Sequence, residues 1–108
     1  MPIDLPKPIA AYFAADQKDG EAVKQCFAEN ATVIDERRTY AGREAIGRWK
    51  AEASAKYSYR VEPFAMAVEG DWIIVTSHVT GNFPGSPVDL RHAFVLEGHA
   101  IVRLEIAP

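Results

Sequence analysis

The spacing of hydrophobic residues changes near Tyr57 and divides the chain into two parts. Before Tyr57, apolar side chains recur every three or four residues, which is typical of helices with one buried face. After it, stretches rich in Ile, Val and Thr are separated by short turns, which is typical of strands. Helices followed by consecutive strands predict an α+β layout.

The first part predicts three helices and one short strand. Asp4 is expected to cap the first helix, whose first turn holds Pro6 and Pro8, where a missing N–H costs nothing. Asp19 is expected to cap the second helix. The predicted elements are a first helix to about Gln17, a second helix ending at Asn30, a strand at 31–35, a polar loop at 36–42 and a third helix at about 43–56.

The second part predicts four strands joined by tight turns. They are expected at 59–69, 72–82, 88–96 and 100–106, with a rigid connection at 83–87. Three helices cover one face of such a sheet, and no further segment remains to cover the other. We therefore expect one domain over 1–108 that forms a homodimer through the outer sheet face.

Composition narrows the class of protein. The 108 residues are 48% hydrophobic and 25% charged, which excludes general disorder. The net charge of −3 does not favour nucleic acid as a partner. A single cysteine, Cys26, excludes an internal disulfide, and neither a signal peptide nor an apolar run long enough for a membrane span is visible. A cytoplasmic protein without membrane contact is expected.

Several short motifs resemble one known family. They are Tyr12-Phe13-Ala14-Ala15, Asp19-Gly20, Phe27-Ala28-Glu29-Asn30-Ala31, Tyr40-Ala41-Gly42-Arg43-Glu44-Ala45-Ile46, and the closing hairpin from Phe94 to Ile101 with Leu104 and Ile106. The chain is similar to the nuclear transport factor 2-like superfamily and, within it, to the SnoaL-like polyketide cyclases. The resemblance implies a cystatin-like cone: three N-terminal helices packed on a strongly curved, mostly antiparallel sheet that encloses a hydrophobic pocket.

Asp35 is the first candidate for chemistry. A carboxylate at the end of a short apolar strand is as often a simple loop-entry residue as a functional one. By resemblance, however, it occupies the place of the general base in the ketosteroid isomerase branch, where an apolar wall raises the pKa of the carboxyl. That branch also needs a carboxylic acid where this chain has Leu90, and a tyrosine one place before Tyr12. Ketosteroid isomerisation itself is therefore not expected.

His92 is the second candidate, because it shares the apolar side of its strand with Leu90 and Phe94. The face of His78 is left open by the pattern, and the three histidines have no metal-ligand spacing. No phosphate-binding loop is present, so no metal or cofactor is expected. The predicted catalytic residues are Asp35, His92 and Tyr12, and the predicted pocket residues are Trp49, Tyr57, His78, Leu90, Phe94 and Leu104.

Two functions remain open. The first is a small-molecule-binding domain that acts as an isomerase, cyclase or lyase, with Asp35 as base on a hydrophobic carbonyl compound. The second is a non-catalytic module for ligand binding or dimerisation. In the second case Asp35 is expected to be exposed, or paired with Arg37 or Arg38.

Overall fold

The computed structural model describes residues 3–108 and contains three helices and six strands. The helices are α1 (Lys7–Asp16), α2 (Gly20–Lys24) and α3 (Arg43–Lys56). The strands are β1 (Phe27–Asp35), β2 (Arg38–Ala41), β3 (Tyr59–Glu69), β4 (Trp72–Gly81), β5 (Val88–Glu97) and β6 (Ala100–Ala107). The α+β class predicted from the sequence is confirmed.

All six strands form one curved sheet in the order β2-β1-β6-β5-β4-β3. Every neighbouring pair is antiparallel except β1 and β6, which run parallel. The helices lie against one face of this sheet, which we call the inner face. Side chains alternate between the two faces along each strand, so the strand register determines which residues face the helices.

The core lies between the helices and the inner face. Ile9 and Tyr12 of α1 and Ile46 of α3 are buried there, together with Val33 of β1 and Phe94 of β5. Burial of apolar side chains on one side of each element is the main stabilising contribution to such a fold. Among residues 3–108, no helix is long and apolar enough to cross a membrane.

Local patterns located most of the elements. Helix α3 has the predicted bounds, and the four strands after it begin at the predicted residues. The Asp19 carboxylate accepts a hydrogen bond from the Ala22 N–H at 2.8 Å, so its predicted capping role is confirmed. Asp4 does not cap α1: the N-cap position is occupied by Pro6, without a side-chain hydrogen bond.

The predicted end of the second helix at Asn30 is wrong. Helix α2 ends at Lys24, and β1 begins already at Phe27. Phe27 lies opposite Ile101 of β6, and the Ile101 N–H donates to the Cys26 carbonyl at 3.0 Å. Pairing with a strand far away in the sequence therefore overrides the local helical pattern.

The segment 36–42, predicted as a loop, contains strand β2. Glu36 and Arg37 have φ values of 52° and 67° and form the turn that leads from β1 into it. Arg38 then pairs with Asp35 in the antiparallel ladder. The short polar strand lacks the β-branched alternation on which the prediction relied.

Candidate functional site

Asp35 lies at the C-terminal end of β1 and is half-buried on the inner face. The Trp49 indole N–H of α3 donates to its Oδ2 at 3.0 Å, which fixes the orientation of the carboxylate. Burial raises the pKa of Asp35, and the hydrogen bond from Trp49 offsets part of this increase. Asp35 is thus neither fully exposed nor paired with an arginine in an ion pair between residues 3 and 108.

His92 lies on the inner face of β5 and is 5% exposed. Its ring packs against Phe13, with centroids 5.2 Å apart, and stacks on Phe94 at 6.3 Å and 15°. Burial lowers the pKa of His92 to about 3, and the positive charge of Lys50 contributes in the same direction. The imidazole is therefore neutral near pH 7, and its Nδ1 has no hydrogen-bond partner within the described part of the chain.

The strand register brings Asp35 and His92 into one row of the sheet. Both residues lie opposite Ile106 of β6, Asp35 across the parallel pair and His92 across the antiparallel pair. Two strand spacings of about 4.8 Å separate their backbones by roughly 10 Å. Ile106 lies between them on the same face, so an apolar surface connects the two polar groups.

Three of the predicted pocket residues are buried beside this row. Trp49, Phe94 and Leu104 are at most 6% exposed, and Leu104 pairs with both Val33 and Phe94. The Tyr12 ring contacts Phe94 at a centroid distance of 5.5 Å and is itself 1% exposed. Burial raises the pKa of the Tyr12 hydroxyl, which therefore stays protonated. These side chains fill the space between α1 and the sheet.

His78 does not lie on the inner face, so its prediction as a pocket residue is wrong. It is exposed on the outer face of β4, where its Nδ1 lies 2.7 Å from Asp89 Oδ1. Its neighbours Ser77 and Val79 point inward instead and are buried. The two faces of β4 are similarly apolar in sequence, which is why the pattern left the orientation open.

Leu90 and Tyr57 lie at the margin of the core. Leu90 is half-buried on the inner face of β5, opposite Ser77. The Ser77 hydroxyl oxygen is buried, and it has no hydrogen-bond partner among residues 3–108. The half-buried Tyr57 ring packs against Phe83, with centroids 6.3 Å apart.

Sequence reasoning missed a buried ionic cluster beside Trp49. Lys50 of α3 forms an ion pair with Asp16 of α1, and both side chains are nearly inaccessible. The Tyr59 hydroxyl accepts a hydrogen bond from Lys50 at 2.9 Å and donates one to Asp16 at 3.1 Å. A signal was present, since Asp16 follows Tyr12 by four residues on the apolar side of α1. Lys50 follows the buried Ile46 by four in the same way.

Residues 9–105 match the family described as the SnoaL-like domain. The chain belongs to the SnoaL-like domain family. This confirms the resemblance inferred from the short motifs, and the row of Asp35, Ile106 and His92 lies within the matched residues.

Solved structures share this fold. A Sinorhizobium meliloti protein provisionally named a polyketide cyclase is 42% identical, with 96% of each chain covered and a TM-score of 0.90. A Catenulispora acidiphila protein with a ketosteroid isomerase-like fold, solved with trimethylamine, is 23% identical, with 97% of this chain and 87% of that chain covered and a TM-score of 0.85. The comparison with curated proteins gave no match.

Two open depressions on this SnoaL-like domain lie away from the row. One of about 460 Å³ lies between α2 and α3, and another of about 400 Å³ lies beside the start of α3. Neither is lined by Asp35 or His92. Both are surface features, away from the polar groups of the inner face.

Proposed function

We propose that this SnoaL-like domain is an acid–base enzyme that acts on a hydrophobic carbonyl compound, with Asp35 as the general base. The observation that carries the proposal is the common row of Asp35, Ile106 and His92 on the inner face. A base and a hydrogen-bond donor at the two ends of an apolar surface are what enolisation requires. The similarity to the Sinorhizobium meliloti protein provisionally named a polyketide cyclase supports the same class.

In the proposed step, Asp35 takes a proton from the carbon next to the carbonyl group. The electrons of the C–H bond form the enolate, and the negative charge develops on its oxygen. His92 donates a hydrogen bond to that oxygen; as a neutral imidazole it carries one N–H that it keeps. Return of the proton to another carbon gives an isomer, and attack of the enolate on a second carbonyl group closes a ring.

The substrate is proposed to be mostly apolar and to require a movement of the protein. Phe94, Leu104 and Ile106 surround the two polar groups, and such walls are typical of small-molecule sites. Tyr12 and Phe94 fill the space between α1 and the sheet. A ligand that contacts both Asp35 and His92 therefore displaces the Tyr12 ring or shifts α1, and a hydrophobic pocket opens only with the ligand.

The test is exchange of carbon-bound hydrogen for deuterium in hydrophobic 1,3-diketones, followed by NMR. This readout detects proton removal whatever product is finally formed. We expect the wild type to accelerate exchange and Asp35→Asn to reduce the acceleration by about 10²- to 10⁴-fold, the usual contribution of a positioned base. Glu29→Gln is the matched control, because it removes an exposed carboxylate from the same strand, β1. Equal exchange by wild type and Asp35→Asn would contradict the mechanism.

A non-catalytic ligand-binding or dimerisation module is the second candidate. The filled interior favours it, because the structure shows no open route to Asp35 through either described depression. In that case the same diketones raise the melting temperature by binding to the folded state. Stabilisation without hydrogen exchange would favour the module over the enzyme.

We also propose that two copies pair through the outer face of the sheet. Ile74 and Ala93 lie opposite each other there and are half-buried in the single chain, with Ala67 on the other side of Ile74. Among residues 3–108, no helix covers the apolar centre of this face. A cytoplasmic location, without nucleic acid or membrane as partners, is part of the proposal and is supported by the single Cys26 thiol and the net charge of −3.

A further inference from the structure

We propose that the buried cluster of Asp16, Lys50 and Tyr59 positions Trp49 and thereby fixes the Asp35 carboxylate, which makes Lys50 a positioning residue of the reaction site. The inference rests on the proposed role of Asp35 as base. It assigns a task to three residues that have no place in the proton transfer itself.

The geometry forms a continuous chain of contacts. Lys50 Nζ lies 4.5 Å from the centre of the Trp49 ring, and the indole N–H on that ring donates to Asp35 Oδ2. On the other side, Asp16 and Tyr59 hold Lys50 Nζ through the ion pair and the 2.9 Å hydrogen bond. The Trp49 ring is thus restrained from both sides, by an ammonium on its face and by a carboxylate at its edge.

Burying this cluster costs free energy, and stabilisation of the fold alone does not explain why charged residues stand here. Removing two charges from water carries a large penalty, and a buried ion pair is often no more stabilising than apolar residues of similar volume. Lys50 and Asp16 are each less than one-tenth exposed, and the other buried residues are apolar apart from Ser77 and His92. A role in orienting Trp49 gives a reason for charge at this position, where Leu or Met would fill the same space.

The charge of Lys50 also reaches both groups of the proposed reaction. Burial alone lowers the pKa of Lys50, but its neighbours Tyr12, Asp16 and Tyr59 more than offset this, so Lys50 stays protonated. Its positive charge opposes the rise in the pKa of Asp35 and favours the neutral form of His92.

Other charged and titratable groups face the two reaction residues as well. Asp35 has Glu36 next to it on β1 and Arg38 opposite on β2. His92 has Tyr12 above it on α1, while its neighbours Val75 and Ile106 in the sheet are uncharged. Lys50 is the group that acts on both Asp35 and His92.

NMR titration of Asp35 and His92 tests this without any substrate. The double variant Asp16→Asn with Lys50→Met removes both charges together, so neither partner is left buried and alone. We expect the pKa of Asp35 and the pKa of His92 both to rise, because a nearby positive charge has been removed from each. We also expect the indole N–H signal of Trp49 to move, while that of Trp72 on β4 stays in place as an internal control.

Lys50→Arg is the rescue variant, since it keeps the charge and is expected to keep the wild-type titrations. Tyr59→Phe is the milder variant if the double variant does not fold: it removes the hydroxyl that Lys50 and Asp16 share, and it too should move the Trp49 signal. Unchanged titrations and an unchanged Trp49 signal in a folded variant would overturn the inference.

The two proposals fail in different ways. If Asp35→Asn abolishes deuterium exchange while the double variant leaves the titrations unaltered, Asp35 is a base but the cluster does not position it. If the titrations move while Asp35→Asn exchanges as fast as wild type, the cluster acts on Asp35 but the proposed reaction is wrong.

Discussion

His92 and Lys50 are both buried, yet their neighbours give them opposite proton occupancy. Lys50 has a carboxylate and a hydroxyl within hydrogen-bond distance, so its charge is compensated. His92 is surrounded by Phe13, Phe94 and Tyr12, so a proton on its ring has nothing to balance it. The same degree of burial thus produces a permanent cation at one position and a neutral ring at the other.

His92 makes one part of the stability depend on pH. Its pKa is about 3 in the folded chain against an ordinary value of 6.5, so the unfolded chain takes up the proton first as the pH falls. This contribution of His92 to the free energy of unfolding is fully present above pH 6.5. It is lost as the pH falls towards 3, at up to about 1.4 kcal/mol for each pH unit. His92→Phe keeps an aromatic ring against Phe13 and is expected to remove this loss.

Urea unfolding at pH 7.5 and pH 5 measures the effect. If His92→Phe loses as much stability as the wild type between the two pH values, His92 is not the buried neutral group described above.

At the scale of elements, α2 and α3 approach closely at a pair of glycines. A Cβ added to Gly20 would lie 2.5 Å from the Gly47 carbonyl oxygen, and backbone cannot move aside easily. A Cβ added to Gly47 would instead meet the flexible Lys24 side chain at 3.2 Å. The close contact therefore depends on the first glycine and much less on the second.

Gly20→Ala is expected to lower the free energy of unfolding by about 1–3 kcal/mol, the usual cost of overpacking. Gly47→Ala is the matched control: helix propensity gains roughly 0.5–1 kcal/mol inside α3, which offsets the small displacement of Lys24. Chemical denaturation of both variants compares them directly. A Gly20→Ala variant as stable as Gly47→Ala would show that α2 packs less closely than described.

The sequence predicted correctly the helices and strands whose position depends on interactions within their own segment. Helix α3 and strands β3 to β6 were located to within one residue at each end, because their periodicity and turns are contained in the segment itself. Phe27 fits an apolar helical stripe equally well, and only its pairing with Ile101 makes it part of a strand.

In the candidate site, too, contacts between distant segments could not be predicted from the local sequence. Asp35 was proposed from its place in the family resemblance and His92 from the apolar side of its strand, and the register puts both residues in one row. Lys50 and Asp16 were missed because a single charged residue on a helix is normally exposed. Only the opposite charge on a separate helix allows them to be buried together.

At the scale of the whole molecule, the outer face of the sheet bears on the oligomeric state. If it forms the proposed dimer, light scattering at micromolar concentration should give twice the 11.9 kDa mass of the chain. Ile74→Glu places a charge at the centre of that face and is expected to give monomers with the circular dichroism of the folded chain. Val68→Glu, at an exposed position with its side chain on the other face, should remain a dimer. A monomeric wild type would contradict the proposal.

The position of β6 in the sheet has a consequence for how the chain is made. Although it is the last of these six strands to be synthesised, it lies between β1 and β5 and joins the two halves of the sheet. Until residues 100–107 have left the ribosome, the β1–β2 hairpin has no partner strand connecting it to the β3–β5 meander. The nascent chain therefore exposes the strand edges of both halves during synthesis. The sheet is completed only when β6 inserts between β1 and β5, and the long-range contacts of this step are slow to form.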